Sequence, residues 1–371
     1  MSSVAFAQPK SVTSPLQIPK FARRSSLFSP PNFFLPPGSR WDRFPALSVA
    51  SSTDNSTSDL PPLVVVGSAN ADIYVEIERL PGVGETISAK SGQSLAGGKG
   101  ANQAACGGRL SYPTYFVGQI GDDANGRLIK DALEAVGGVR LDYVKSVGGS
   151  PTGHAVVMLQ PGGENSIIIV GGANTFGWPS VLSDQEGLEI VKKAGVVLLQ
   201  REIPDDINIQ VAKAAMTAGV PVILDAGGMD TPVPSELLRY VDIFSPNESE
   251  LARLSGMPTE SFEDITVAAR KFHSMGVKQV LVKLGAEGSA LFVEGEEPIK
   301  QPAIMAPKVL DTTGAGDTFT AAFAVALVEG KSRKECLRFA AAAASLCVQV
   351  KGAIPSMPSR ESVTSLLQSP V

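Results

Sequence analysis

Leu63-Val64-Val65-Val66-Gly67 is an unbroken apolar run closed by a glycine. Its residues do not alternate with polar ones, so it reads as a strand buried on both faces, the kind found in a parallel sheet. Runs of the same texture recur at 195–199, 221–224, 243–245 and 279–282. Between them, 206–218, 248–255 and 263–275 carry apolar residues at helical spacing. Alternating strands and helices predict an α/β fold with a doubly wound, mostly parallel sheet. Right-handed crossovers bring the loops that follow the strands to one edge, where ligands bind.

A second texture interrupts the first. The segments 73–77, 85–90, 154–160 and 165–170 read as strands joined by Gly-rich turns, with no helices between them. Pro161-Gly162-Gly163-Glu164 is a hairpin turn signal between two of them. These strands, drawn from about 72–90 and 150–172, predict a small antiparallel sheet covering the ligand edge as a lid. Such a lid excludes water, which phosphoryl transfer from a nucleotide requires if hydrolysis is to be avoided.

The strongest local signal is Val309-Leu310-Asp311-Thr312-Thr313-Gly314-Ala315-Gly316-Asp317-Thr318-Phe319. An extended stretch meets a Gly-Ala-Gly turn, and an apolar helix follows over 318–328. Unpaired amides of Gly314, Ala315 and Gly316, backed by the helix dipole, suit an anion such as a transferring phosphoryl group. Asp317 at the helix start can take the proton of an attacking hydroxyl. Read alone, it is a carboxylate favoured at a helix N-terminus.

Gly97-Gly98-Lys99-Gly100-Ala101-Asn102-Gln103 is a second glycine turn opening a helix. It is not a Walker A loop, because Lys99 is followed by Gly100. The glycines let a polyol approach the backbone, and Asn102 supplies both a donor and an acceptor; the plainer reading is a tight turn with an exposed lysine. Gly67-Ser68-Ala69-Asn70-Ala71-Asp72 follows the first buried strand and places Asn70 and Asp72 at the ligand edge for vicinal hydroxyls, or forms an Asx turn. In Ser245-Pro246-Asn247-Glu248-Ser249-Glu250, Asn247 is either a helix N-cap or, with Glu250, a group ordering magnesium and its water near phosphates.

Composition closes off other classes. The chain has 371 residues, 43% hydrophobic and 19% charged, enough for a large core and unlike collagen, coiled coil or a disordered chain. No apolar stretch reaches the roughly 18 residues of a spanning helix. A net charge of −5 gives no basic footprint for nucleic acid. Cys106, Cys336 and Cys347 form no CxxC pair and read as reduced, buried thiols. His154 and His273, the two histidines, lie outside any metal-ligand spacing, which argues against a zinc enzyme or a His-based hydrolase. Residues 1–53 differ in kind: six basic residues against the single acid Asp42, eight prolines, many serines and no apolar signal core. That is how an organelle transit peptide reads, and the prolines favour a plastid over a mitochondrion. Residues 54–62 read as a polar linker leading to a domain over 63–371.

Taken together, the motifs resemble the ribokinase branch of the pfkB carbohydrate kinase family, in an organellar form, over nearly the whole of the domain. The resemblance implies a Rossmann-like α/β domain with a β lid, commonly a homodimer through that lid. It implies ATP-dependent phosphorylation of D-ribose at the 5-hydroxyl with Mg2+, activated by K+. Residue by residue, it makes Asp317 the catalytic base and Gly314, Ala315 and Gly316 the anion hole. Asn70, Asp72, Gly98, Lys99, Asn102 and Glu202 become sugar contacts. Asn247, Lys283 and the Gly285-Ala286-Glu287-Gly288 turn become nucleotide contacts, bordered by Gly316 and Asp317. Asp311, Thr313, Cys347, Val350, Gly352 and Ser356 match the potassium positions, and Glu250 acts on Mg2+ through water. Two departures stand out: Lys283 occupies a place where a small polar residue is common, and about Ala340 replaces an adenine-side histidine. The pairing of Ser68-x-Asn70-x-Asp72 with the Gly97–Asn102 motif favours ribose over adenosine or fructose. The alternatives are a kinase for another pentose, a nucleoside or pseudouridine, and, in another class, a non-catalytic kinase-like subunit of an organellar complex.

Overall fold

The computed structural model describes residues 60–161, 165–178 and 185–369. The leader over 1–53, the linker up to residue 59 and the turn residues Gly162, Gly163 and Glu164 lie outside the described residues. In chain order the strands are β1 (Leu63–Val66), β2 (Asn70–Glu76), β3 (Ser91–Gly97), β4 (Thr114–Gly121), β5 (Val139–Val147), β6 (Gly153–Leu159) and β7 (Asn165–Val170). They continue with β8 (Val196–Arg201), β9 (Val222–Gly228), β10 (Ile243–Ser245), β11 (Gln279–Lys283), β12 (Ser289–Val293) and β13 (Ile299–Gln301).

The larger sheet runs β13-β12-β11-β10-β9-β8-β1-β4-β5. Every pairing from β11 to β5 is parallel, and β12 and β13 add an antiparallel edge. Strand β1 lies between β4 and β8 with all four residues fully buried. Leu63 and Val65 face one core layer, with Ala101, Ala104, Phe323 and Leu337 from helices Lys99–Arg109, Ala315–Val328 and Arg333–Cys347. Val64 and Val66 face the other, with Val211, Leu251 and Phe272 from helices Asp205–Thr217, Glu248–Ser255 and Phe262–Ser274. The apolar run does not alternate because both of its faces are covered.

The second sheet has the order β3-β2-β6-β7. It differs from the sequence reading in two ways. It is mixed rather than antiparallel, because β2 pairs with β6 in parallel. Both strands leave the ends of parallel strands, β2 after β1 and β6 after β5, so they set out in the same direction. The edge strand is Ser91–Gly97, not 85–90. Glu85 instead closes a loop, paired with Arg79 and accepting from the Gly82 amide. The sequence Ser-Gly-Gln-Ser that begins β3 carries no apolar alternation to reveal a strand. Among the described residues, no helix is long and apolar enough to cross a membrane.

Candidate active site

The ends of β1, β8, β9 and β11 meet the N-termini of helices Lys99–Arg109 and Ala315–Val328. Strand β1 passes through Gly67, Ser68 and Ala69 directly into β2, which sets Asn70 and Asp72 at the sheet edge. Gly98 holds φ +91, and a Cβ there would lie 2.6 Å from the Asn70 amide. A side chain is excluded at that point, so the helix start packs straight onto β2. Glu202, just past β8, gathers the loop: its Oε2 accepts from Ser68 Oγ (2.5 Å), the Lys99 amide (3.0 Å) and Asn70 Nδ2 (3.5 Å). Asn174, which the sequence reading did not single out, fixes the same loop. Its Oδ1 accepts from the Ala69 amide (2.9 Å) and its Nδ2 donates to Asn70 Oδ1 (2.7 Å). Its only sequence signal was a position in a Gly-rich turn.

Asp317 is buried beside this cluster. Its Oδ2 accepts from Asn102 Nδ2 (2.8 Å), and Lys99 Nζ stands 3.7 Å from its Oδ1. Burial raises the Asp317 pKa, the Lys99 ammonium opposes the rise, and the carboxylate of Asp225 adds to it. Asn102 Oδ1 is buried with no protein partner, an acceptor left for a donor from outside the chain. Burial, with the charge of Glu202 behind it, pushes the Asp72 carboxyl up to about 7.

Asp225 was also missed. It lies at the end of β9, fully buried, and accepts from Lys283 Nζ (2.7 Å), Thr320 Oγ1 (3.1 Å) and the Gly227 amide (3.0 Å), with Lys99 Nζ at 3.4 Å. Burial alone would push its carboxyl up, but the Lys283 and Lys99 ammoniums outweigh it and hold the pKa well below the usual range. Burial likewise pulls Lys99 down, and Asp225 and Asp317 reverse this and hold it well above its ordinary value. The available signal was an acid at the end of an apolar strand, in Val222-Ile223-Leu224-Asp225.

The helix Ala315–Val328 begins after Gly314, which takes φ +79 and provides no side-chain cap. The first-turn amides are therefore not consumed by a capping side chain, and the positive end of the helix dipole points out of the fold. The Ala315 amide is not among the open ones: it donates to the Thr312 carbonyl at 3.2 Å, which closes the turn. A cavity of about 390 Å³ opens beside this helix start. Gly285, Ala286 and Gly288 form one wall, Ala341, Ala344 and Val348 another, and Ala315 and Gly316 border it. Lys283 is the one charged residue among those lining it, and Glu287 is not part of the wall.

Asn247 and Glu250 form a capping box. Asn247 Oδ1 accepts from the Glu250 amide (2.8 Å), and Glu250 Oε2 accepts from the Asn247 amide (2.9 Å). The N-cap reading of Asn247 is the one its contacts show. Glu250 Oε1 remains, close to Gly227. Asp311 accepts from the Thr313 amide (2.9 Å) and the Gly352 amide (2.8 Å), and Cys347 Sγ lies 3.0 Å from Ser356 Oγ and 3.9 Å from the Thr313 carbonyl. The Val350 amide donates to the Cys347 carbonyl at 3.1 Å, so the six positions share one neighbourhood behind the helix start.

The family model for pfkB family carbohydrate kinases matches residues 61–360. A ribokinase of Arabidopsis thaliana is 74% identical over 309 residues, spanning 83% of this chain and 81% of that relative. A ribokinase of Bacillus subtilis is 37% identical over 305 residues, spanning 82% and 99%. The solved structure of Arabidopsis thaliana ribokinase complexed with ribose and ATP is 73% identical, superposes with a TM-score of 0.81, and is matched over 84% of this chain and 100% of its own length.

Proposed function

The chain belongs to the pfkB family of carbohydrate kinases, and on that premise we propose that it transfers the γ-phosphoryl group of ATP to the 5-hydroxyl of D-ribose, giving ribose 5-phosphate. The observation that carries this reading is the position of Asp317. It is buried, oriented by Asn102, and set between the Asn70–Glu202 cluster and the cavity at the helix N-terminus. The cluster holds the sugar hydroxyls, with Asn102 Oδ1 as a free acceptor and Glu202 and Asn174 keeping the loop rigid. Asp317 accepts the 5-hydroxyl proton. Burial strengthens it as a base, and Lys99 supports its ionised form. The amides at the start of helix Ala315–Val328 stabilise charge on the transferring group. The second sheet keeps water out.

Glu250 fits a hydrated Mg2+: one oxygen is spent on the capping box and the other is left for a metal-bound water. Magnesium, when bound, neutralises charge on the phosphates. Asp311, Thr313, Cys347, Val350, Gly352 and Ser356 fit K+, since they combine one carboxylate and hydroxyl and carbonyl oxygens in one place. Exposed Ile167, Ile168 and Ile169 on edge strand β7 support a homodimer through the lid. The Ser- and Arg-rich segment 1–53 supports a plastid address, with the mitochondrion as the alternative.

The test is ATP consumption by the full chain with magnesium and ribose, 2-deoxyribose, fructose, adenosine or pseudouridine, each in potassium and in sodium. Preferred turnover of ribose, faster in potassium, is the expected result. Preference for another acceptor moves the substrate, and no turnover by a folded chain that binds nucleotide favours a non-catalytic subunit.

A further inference from the structure

Lys283 ends β11 and reaches two places at once. It is the charged residue on the wall of the cavity beside Gly316, where a Cβ on Gly316 would lie 3.9 Å from its Nζ. The same ammonium is held by Asp225 Oδ2 at 2.7 Å, with only 12% of the side chain exposed. Lys99 Nζ approaches the other oxygen of the same carboxylate and also faces Asp317. Two ammonium groups are thus held on one buried acid, Lys283 lining the cavity and Lys99 facing the base. A phosphoryl group passing from the cavity to a sugar hydroxyl held at Asp317 moves past these ammonium groups.

The surroundings allow the ammonium to change partners. Asp225 also accepts from Thr320 Oγ1 and the Gly227 amide, so a shift of Lys283 toward an arriving anion does not strand a buried carboxylate. Cations aimed at a transferring phosphoryl group act on the charge that spreads over its equatorial oxygens. We propose that Lys283 is a catalytic residue that contacts the transferring phosphoryl group, and that Asp225 is the positioning residue that holds its ammonium between the nucleotide cavity and Asp317. This rests on the kinase reading of the site and adds a role to it: Lys283 serves the step itself, not the seating of the base.

The test compares the full chain with Lys283→Met, Lys283→Arg and Asp225→Asn. Lys283→Met keeps the length of the stem and leaves Asp225 three partners, so it is the variant least prone to misfolding. Its kcat falls by about 10²-fold, in the range for loss of one transition-state donor, while KM for ribose stays within about threefold. Lys283→Arg recovers at least about tenfold of that loss. Asp225→Asn lowers kcat with the same sparing of ribose KM. A Lys283→Met kcat within about threefold of the parent, or equal losses in the Met and Arg variants, overturns the proposal. Direct binding of ATP, ADP and AMP decides the matter separately from the sugar. Lys283→Met weakens ATP at least about tenfold more than AMP, and equal weakening of all three overturns the proposal. Failure of the parent chain to phosphorylate ribose refutes the assigned substrate and leaves this nucleotide comparison to judge Lys283.

Discussion

Where the sugar is assigned, Ser68, Asn70, Lys99 and Asn102 are tied to Glu202 and Asp317 by hydrogen bonds, and Asn174 ties the loop down from behind. The cavity assigned to the nucleotide is lined mainly by Gly, Ala and other apolar residues, with Lys283, Thr312 and Ser345 its polar members. One end is pre-built from buried polar groups and the other is a smooth slot ending in a charge. The difference matters because a site that hydrogen-bonds its guest leaves its own groups unpaired when the wrong guest enters, whereas an apolar slot discriminates weakly. Selectivity for the acceptor should therefore greatly exceed selectivity for the base of the donor.

The most damaging way to strain this contrast is to leave the polar end in place and remove its chemistry. Asp317→Asn keeps the Asn102 neighbourhood and the volume of the side chain. We expect kcat to fall by roughly 10³-fold or more with ribose affinity retained, checked by turnover and by calorimetric binding of ribose. Near-normal turnover would remove Asp317 as the base. The next test addresses the contrast itself. Replacing ribose by 2-deoxyribose should lower kcat/KM by at least about 10²-fold, while replacing ATP by GTP should cost less than about tenfold. Comparable penalties on the two sides would show that the nucleotide cavity reads its base through contacts its lining does not suggest.

The two ends also differ in how legible they were. The buried strands were plain, because runs such as Leu63–Val66 have no other economical place to go. The turn at 314–317 was plain because glycines and an acid in that order have few uses. Asp225 escaped notice because one acid at the end of an apolar strand resembles a solvent-facing end. Its burial depends on Lys99 and Lys283, which lie more than fifty positions away on either side. Asn174 escaped for a similar reason, since its partners Ala69 and Asn70 are about a hundred residues earlier. Strand β3 was misplaced by its polar opening, and β2 and β6 run parallel for a reason of topology that no local pattern records. Local chemistry was readable, and partnerships across the sheet edge were not.

A smaller effect should separate the polar end by pH. Folded Asp72 keeps its proton up to about 7, whereas the unfolded chain loses it near the ordinary 3.8. Across that window the folded state binds more protons, so this group's contribution to stability is present at low pH and fades as the pH rises. Asp72→Asn removes the dependence. Between about pH 5 and about pH 8 the parent's Tm should fall by roughly 2–4 °C more than the variant's. Parallel Tm curves would mean that Asp72 titrates as an ordinary exposed acid.

The mildest test concerns Asn247, which the resemblance assigns to the nucleotide and whose oxygen caps a helix. Its Oδ1 is shared between the Glu250 amide and Ser249 Oγ, so the end left to reach a nucleotide is the Nδ2 donor. Ser332 provides a control: it heads helix Arg333–Cys347 with the same reciprocal box, through Glu335, on the surface of the fold. If Asn247 is a cap first, Asn247→Ala and Ser332→Ala should lose similar stability, each about 1 kcal/mol or roughly 1–2 °C in Tm. KM for ATP should then change by less than about threefold in both, since neither loses a contact to the cavity wall. A KM for ATP that rises tenfold or more in Asn247→Ala alone would return Asn247 to the nucleotide side. It would also mean that Asn247 Nδ2, which the capping box does not use, donates to the nucleotide while Oδ1 keeps the cap.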